Sequence, residues 1–255
     1  MKYDFNNKIV LITGGTSGIG LAAAKLFLQG GAHVLLNGRS SAKGQRAIDD
    51  LAEFAGKVRF IAGDVSKPED CRKIAAQAAL WHGRLDIVVN SAGVYLEKAI
   101  TDTSVNEYDE IIDTNLKGTY FIAKYTVPHL RKQQSAAIVN VASDAGLNGN
   151  FLCTAYCAAK GAVVTFSKAL ALELAPYNIR VNCVCPGDIE TPMLDKQLAE
   201  TKDIDAARRE MASVYPLGRI GSADEAAQVI CFLASDAASF VTGAAWTVDG
   251  GLTAC

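Results

Sequence analysis

The first apolar run, residues 8–13 (KIVLIT), leads straight into Thr13-Gly14-Gly15-Thr16-Ser17-Gly18-Ile19-Gly20 and then into an alanine-rich amphipathic stretch. A strand, a glycine turn and a helix in that order leave few folds open. Glycines let the backbone turn sharply and approach a pyrophosphate, while the helix amino terminus offers free N–H groups and partial positive charge to the phosphates. A glycine cluster alone is a weak signal, because loops are rich in glycine anyway. Between the first strand and the first helix of an alternating chain it points to nucleotide binding.

The alternation runs to the end of the chain. Strands are expected at 8–13, 33–37, 58–62, 85–90, 137–141, 179–184 and 245–248. Helices are expected at 19–29, 42–55, 68–81, about 105–130, 154–175 and 223–233, with a polar helical stretch at 194–214. Alternation of this kind implies an α/β, Rossmann-type doubly wound parallel sheet with helices on both faces. No linker or repeat interrupts it, so residues 1–255 read as one domain. The least sheet-like part, 193–215, is expected to cover the carboxyl ends of the strands, where such folds bind ligands.

Composition excludes several classes. Half of the 255 residues are hydrophobic and the net charge is −2, which gives no electrostatic footprint for nucleic acid. No apolar stretch suits a signal peptide or a membrane span, so a cytoplasmic protein is expected. Seven cysteines, an odd count, argue against a disulfide framework, and three histidines without close pairing argue against a metal centre. Buried reduced thiols are the simpler reading.

The end of the second strand bears on which nucleotide binds. An NAD site places a carboxylate about 20 residues beyond the glycines, to hold the ribose 2′-hydroxyl. Here the chain reads Asn37-Gly38-Arg39-Ser40, with no acid. Arg39 can pair with a 2′-phosphate through its planar fork, or it can be a surface arginine opening a helix. NADP(H) is favoured and NAD(H) stays open.

Beyond this point the whole chain resembles the short-chain dehydrogenase/reductase family, in its core subgroup of enzymes of about this length, with a likeness to 3-oxoacyl-carrier-protein reductases. The resemblance rests on TGGTSGIG at 13–20, Asp64-Val65, Asn90-Ser91-Ala92-Gly93, Asn115, Ser143, Tyr156 with Lys160 four residues on, and Pro186-Gly187 followed by Thr191. Ser91 stands where the family often has a second asparagine. Ser17 stands where NADP-dependent members often carry a basic residue. A second Tyr-x-x-x-Lys occurs at Tyr120–Lys124, but only Tyr156 has a serine thirteen residues earlier; the matching position for Tyr120 is Glu107.

The resemblance implies an oxidoreductase interconverting an alcohol and a carbonyl, with Asn115, Ser143, Tyr156 and Lys160 as its catalytic set. A phenol is a poor base at neutral pH. An ammonium one helical turn away, at Lys160, is expected to lower the Tyr156 pKa and tune it as the general acid/base. Ser143 would hold and polarise the substrate oxygen. In the family Lys160 also binds the nicotinamide ribose, and Asn115 anchors a water linking the lysine to solvent; a polar residue facing water is the other reading of Asn115. By the same resemblance, cofactor contacts fall to Gly14, Thr16, Ser17, Gly18, Ile19, Gly20, Arg39, Asp64, Val65, Asn90, Ala92, Gly93, Tyr156, Lys160, Pro186, Gly187, Ile189 and Thr191.

The substrate is less legible. The segments 145–153 and 193–215 specify no sugar, steroid or acyl chain. An acyl carrier protein as partner would want a basic patch, for which Lys124, Arg131, Lys132 and Lys168 are candidates. A homotetramer is expected from the family through the helices 105–130 and 154–175 and the closing segment 241–251. A catalytically idle nucleotide-binding scaffold is the competing class, and an intact set of four catalytic residues argues against it.

Overall fold

A computed structural model describes residues 3–199 and 201–254. The first strand, β1 (Ile9–Thr13), is buried along its whole length because successive side chains point to opposite faces of the sheet. Val10 and Ile12 enter the core on one face, and Ile9 and Leu11 the core on the other. Both faces must therefore be covered by helices, which is what continuous apolar strands of a parallel sheet require.

The elements follow as α1 (Gly18–Gln29), β2 (His33–Gly38), α2 (Ser41–Asp50), β3 (Val58–Ala62), α3 (Pro68–Trp81) and β4 (Ile87–Asn90). Then come α4 (Val105–Ile112), α5 (Gly118–Leu130), β5 (Ala136–Val141), α6 (Thr154–Leu174) and β6 (Ile179–Pro186). The chain closes with β7 (Ile189–Glu190), α7 (Pro192–Leu198), α8 (Ile204–Ser213), β8 (Gly221–Ser222), α9 (Ala223–Ala234) and β9 (Ala245–Val248). Seven parallel strands form one sheet in the order β3-β2-β1-β4-β5-β6-β9. Helices α1, α2 and α9 cover one face, with Phe27, Leu28 and Ile230 in its core; α3, α5 and α6 cover the other, with Ile74, Ile122 and Leu174. The chain leaves β1 for β2 on one side and returns to β4 on the other, which opens a crevice at the carboxyl ends of β1 and β4.

Four expectations change in detail. The long helix at 105–130 is interrupted by a π-helical turn at Asp113–Lys117. The helix expected at 42–55 ends at Asp50 and gives way to a 3-10 turn, Ala52–Phe54. The polar stretch at 194–214 is two helices, because Asp203 accepts the Ala206 N–H at 2.9 Å and starts α8 afresh; Glu200, between them, lies outside the described residues. The pairing of β7 with β8 spans two residues each, too short to leave a periodic signal. Six cysteines are free, five of them buried and Cys157 half-buried, while Cys255 lies outside the described residues. No helix among the described residues is long and apolar enough to cross a membrane.

Candidate active site

A cleft of about 430 Å³ opens at the carboxyl edge of the sheet. Its floor begins at the end of β1, where Thr13 Oγ1 accepts the Ala92 N–H at 3.3 Å and the Gly15 N–H donates to the Asn37 carbonyl at 3.1 Å. Gly14 has φ +65°, and a Cβ there would lie 2.7 Å from the backbone of Ala92. Only glycine lets the two loops close on each other. Helix α1 then starts with no acid in its first turn and no capping hydrogen bond from Ser17, so its N–H groups face the cleft unclaimed by the helix's own side chains.

Most of the expected cofactor residues line this cleft: Gly14, Thr16, Ser17, Gly18, Ile19, Arg39, Asp64, Val65, Ala92, Gly93, Tyr156, Lys160, Pro186, Gly187, Ile189 and Thr191. Two do not. Gly20 is buried behind the turn, where a Cβ would lie 2.5 Å from the Gly14 carbonyl oxygen, so it serves helix-to-turn packing. Asn90 is buried and donates to Asn140 Oδ1 at 2.8 Å, joining β4 to β5 beneath the cleft.

At the end of β2, the Asn37 amide is used internally, donating to the carbonyls of Ile61 and Gly63 at 3.2 and 3.1 Å. Arg39 is the charged group beyond it. Its side chain is 59% exposed and meets only Glu110, at 3.9 Å, an exposed pair of little energetic weight. Ser40 and Lys43, which the sequence reading passed over, line the same edge. Across from it, Asp64 is oriented by Ser66, whose N–H and hydroxyl donate to Oδ1 at 3.1 and 2.8 Å.

At the other end of the cleft, β5 delivers Ser143 and α6 delivers Tyr156 and Lys160, all three buried. Lys160 Nζ donates to the Val141 carbonyl at 3.0 Å and stands 5.6 Å from the centre of the Tyr156 ring. Burial lowers the Lys160 pKa to about 8, with the nearby Cys183 and Cys185 opposing. Tyr156 behaves contrary to expectation. Burial raises its pKa, a hydrogen bond with Ser143 works against that, and Asp144, Cys153 and Asp188 add to the rise. Desolvation outweighs the hydrogen bond that favours the phenolate in this arrangement.

Asn115 sits in the π-helical turn and does not line the cleft. Its Nδ2 donates to the carbonyls of Val94 and Ile111 at 3.0 and 2.9 Å, and its Oδ1 accepts the Val94 N–H at 3.2 Å. The widened turn aims the amide at the loop after β4, and its side chain positions that loop. It is neither a mid-helix residue facing water nor a wall of the site. Tyr120 lies half-exposed on α5 against Phe121 and Phe166, away from the cleft.

Several lining residues were not among the individual site residues expected from the sequence. Tyr95 packs edge-on against Tyr156, with centroids 5.0 Å apart, and its hydroxyl reaches Glu97 at 3.0 Å. Asp144, Asn150 and Asp188 also line the site. Within 193–215, Met193, Leu194 and Gln197 form part of the wall. Tyr215 pins the end of that segment: its hydroxyl accepts the Asp188 N–H at 2.7 Å, and its ring sits where a Cβ on Gly187 would lie, 2.8 Å away. Among the described residues, no three His, Cys, Asp or Glu side chains are grouped to hold a metal ion.

A family model described as "Enoyl-(Acyl carrier protein) reductase" matches residues 14–253. The 3-oxoacyl-[acyl-carrier-protein] reductase of Thermotoga maritima is 40% identical over 245 residues, covering 96% of this chain and 97% of its own. The cyclohexanol dehydrogenase of an Acinetobacter strain is 38% identical over 254 residues, covering 99% of this chain and 98% of its own. A solved structure, ElxO with NADP bound, superimposes with a TM-score of 0.91 at 34% identity, covering 98% of this chain and all of that one. With relatives matched over nearly its whole length, the chain belongs to the short-chain dehydrogenase/reductase family and is an oxidoreductase acting on alcohols or carbonyls.

Proposed function

We propose that this chain interconverts an alcohol and a carbonyl with NADP(H), using Tyr156 as proton donor and acceptor. The observation that carries the reading is the meeting of Ser143, Tyr156 and Lys160 in the cleft that the open end of α1 also faces. The described residues fit a dinucleotide: the α1 N–H groups and the close-set Gly14 turn suit a pyrophosphate. Arg39, with Ser40 and Lys43 beside it, suits a 2′-phosphate, and no carboxylate at the end of β2 competes for the ribose. When bound, the nicotinamide gives or takes the hydride.

The chain's own residues handle the proton and the orientation. Ser143 holds the substrate oxygen with its O–H, stabilising the negative charge that grows there during reduction. Tyr156, a phenol protonated at neutral pH whose pKa burial raises further, donates its proton to that oxygen. Lys160, anchored on Val141, holds the cofactor ribose beside the tyrosine. Ile189 and Thr191 would meet the carboxamide, and Asp64 and Val65 the adenine. Asn115 acts at one remove, through the loop at Val94, as a positioning residue.

The relatives' printed names span carrier-linked 3-oxoacyl groups and simple cyclic alcohols. Lys124, Arg131, Lys132 and Lys168 do not line the cleft, and Arg131 is stacked on Tyr177 at 3.8 Å, so these four residues place no basic patch at the cleft for a carrier protein. The homotetramer reading is supported by apolar side chains left bare on the expected surfaces, Leu172 and Trp246 among them; a monomer at micromolar concentration in sedimentation would overturn it.

The test is nicotinamide absorbance against a panel of sugars, cyclic ketones, diketones and 3-oxoacyl thioesters, with NADPH and NADH in parallel. Turnover with NADPH is expected. Turnover with NADH alone would overturn the Arg39 assignment, and silence with both would overturn the activity.

A further inference from the structure

Two carboxylates stand on the wall of the substrate end. Asp144 is 6% exposed. Its Oδ1 accepts the Ser143 hydroxyl at 2.7 Å, and its Oδ2 accepts Asn150 Nδ2 at 3.3 Å. Asp188, half-buried, lines the same wall, where burial above all, and then the charges of Asp144 and Glu97, disfavour its ionised form. The cations that line the cleft are Arg39 and Lys43 at the far nucleotide edge, and Lys160, whose ammonium is turned to the Val141 carbonyl. The reacting end therefore sets two carboxylates against one ammonium and is rich in hydrogen-bond acceptors.

Ser143 has one proton to give. When a substrate oxygen takes it, Asp144 Oδ1 loses its 2.7 Å donor while still buried. A buried carboxylate oxygen without a donor is costly, so a ligand that replaces the donor is selected over one that does not. A hydroxyl on the carbon next to the reacting carbon lies beside the Ser143-bound oxygen and carries the proton that is needed. A hydrocarbon neighbour carries none, and an anionic group adds repulsion.

We propose that Asp144, supported by Asp188, is a specificity-determining residue that selects a neutral polyhydroxylated substrate, a vicinal diol or α-hydroxy carbonyl of the sugar or polyol class, by accepting the hydroxyl next to the reacting carbon. This rests on the roles proposed for Ser143 and Tyr156. In the oxidising direction the carbinol C–H leaves as hydride to NADP⁺, the O–H proton passes to the protein and on to solvent, and the neighbouring hydroxyl stays intact on Asp144.

The experiment compares kcat/KM for cyclohexanol with that for cis- and trans-1,2-cyclohexanediol, using NADP⁺ and the purified full chain. In the reverse direction, 2-hydroxycyclohexanone is compared with a 3-oxoacyl thioester. Wild type should prefer the better diol at least about tenfold, as sites built to bind a substrate hydroxyl do. In Asp144→Asn and Asp144→Ala that ratio should fall toward unity. NADPH fluorescence reports whether each variant is folded, and Asp188→Asn, expected to lower the ratio by about threefold or more, serves if both Asp144 variants fail. Cyclohexanol or the thioester turning over as well as the hydroxylated compounds would overturn the inference and leave the oxidoreductase reading standing. So would a diol preference that survives in every folded variant. No turnover of any compound would overturn both.

Discussion

The nucleotide end and the substrate end of the cleft share the carboxyl edge of one sheet but offer opposite chemistry. At the nucleotide end, α1 leaves its first N–H groups without a side-chain cap, and Arg39 and Lys43 stand at the rim, with Asp64 across from them held by Ser66. At the substrate end stand Asp144 and Asp188, and the one lysine there is committed to a backbone carbonyl. Helix ends away from the cleft sharpen the contrast. Helices α4 and α9 close their amino termini with Ser104–Glu107 and Ser222–Glu225 boxes, so the same orphan N–H groups are satisfied internally. The open start of α1, beside the close-set Gly14 turn and facing the cleft, suits an anion. A wall of carboxylates does not.

The largest effect expected from probing this contrast comes from Tyr156→Phe. It removes the proton donor alone and should lower kcat about 10²- to 10⁴-fold, while NADPH binding measured by fluorescence stays near wild type. Loss of NADPH binding in equal measure would mean that the two ends are not separable. Next is Arg39→Ala, which should raise the KM for NADPH about 10- to 100-fold, as loss of charged hydrogen bonds does, with the NADH value nearly unmoved. An equal change for both cofactors would remove the anion-reading role of that edge.

The smallest effect is on stability. The Lys160 pKa falls from 10.5 unfolded to about 8 folded, so folding is penalised below about 8 and the penalty is relieved as pH rises toward 10.5. Lys160→Met should therefore lose activity yet be more stable to urea at pH 7. The gain is at most roughly 3 kcal/mol by pKa linkage, less what the Val141 hydrogen bond contributes. That advantage should shrink between pH 8 and 10.5. A variant less stable than wild type at every pH would show that the hydrogen bond outweighs desolvation.

Much of the nucleotide end was legible in the residues. Gly14, Thr16, Gly18 and Arg39 occur together within two strand–helix units, where local spacing carries the signal. Two residues of the same motifs, Gly20 and Asn90, turned out to hold the scaffold, because a motif records a backbone need without saying whether ligand or protein supplies the contact. The spacing of Ser143, Tyr156 and Lys160 was equally readable. Tyr95, Asp144, Asn150, Asp188 and Tyr215 were not, since they come from four separate connections between elements with no periodicity between them.

The sequence by itself determined the parallel sheet, the helices on both faces and the order of the cofactor and catalytic motifs. Alternation of period two and the helical repeat encode which face each element buries, and that is a local property. Only the tertiary structure decided the π-helical turn that carries Asn115, the burial that raises the Tyr156 pKa, and the placing of Asp144 and Asp188 on one cleft wall. Desolvation and charge–charge repulsion depend on which chain segments lie within a few ångströms of each other, and for loops forty or more residues apart that distance exists only once the sheet has assembled.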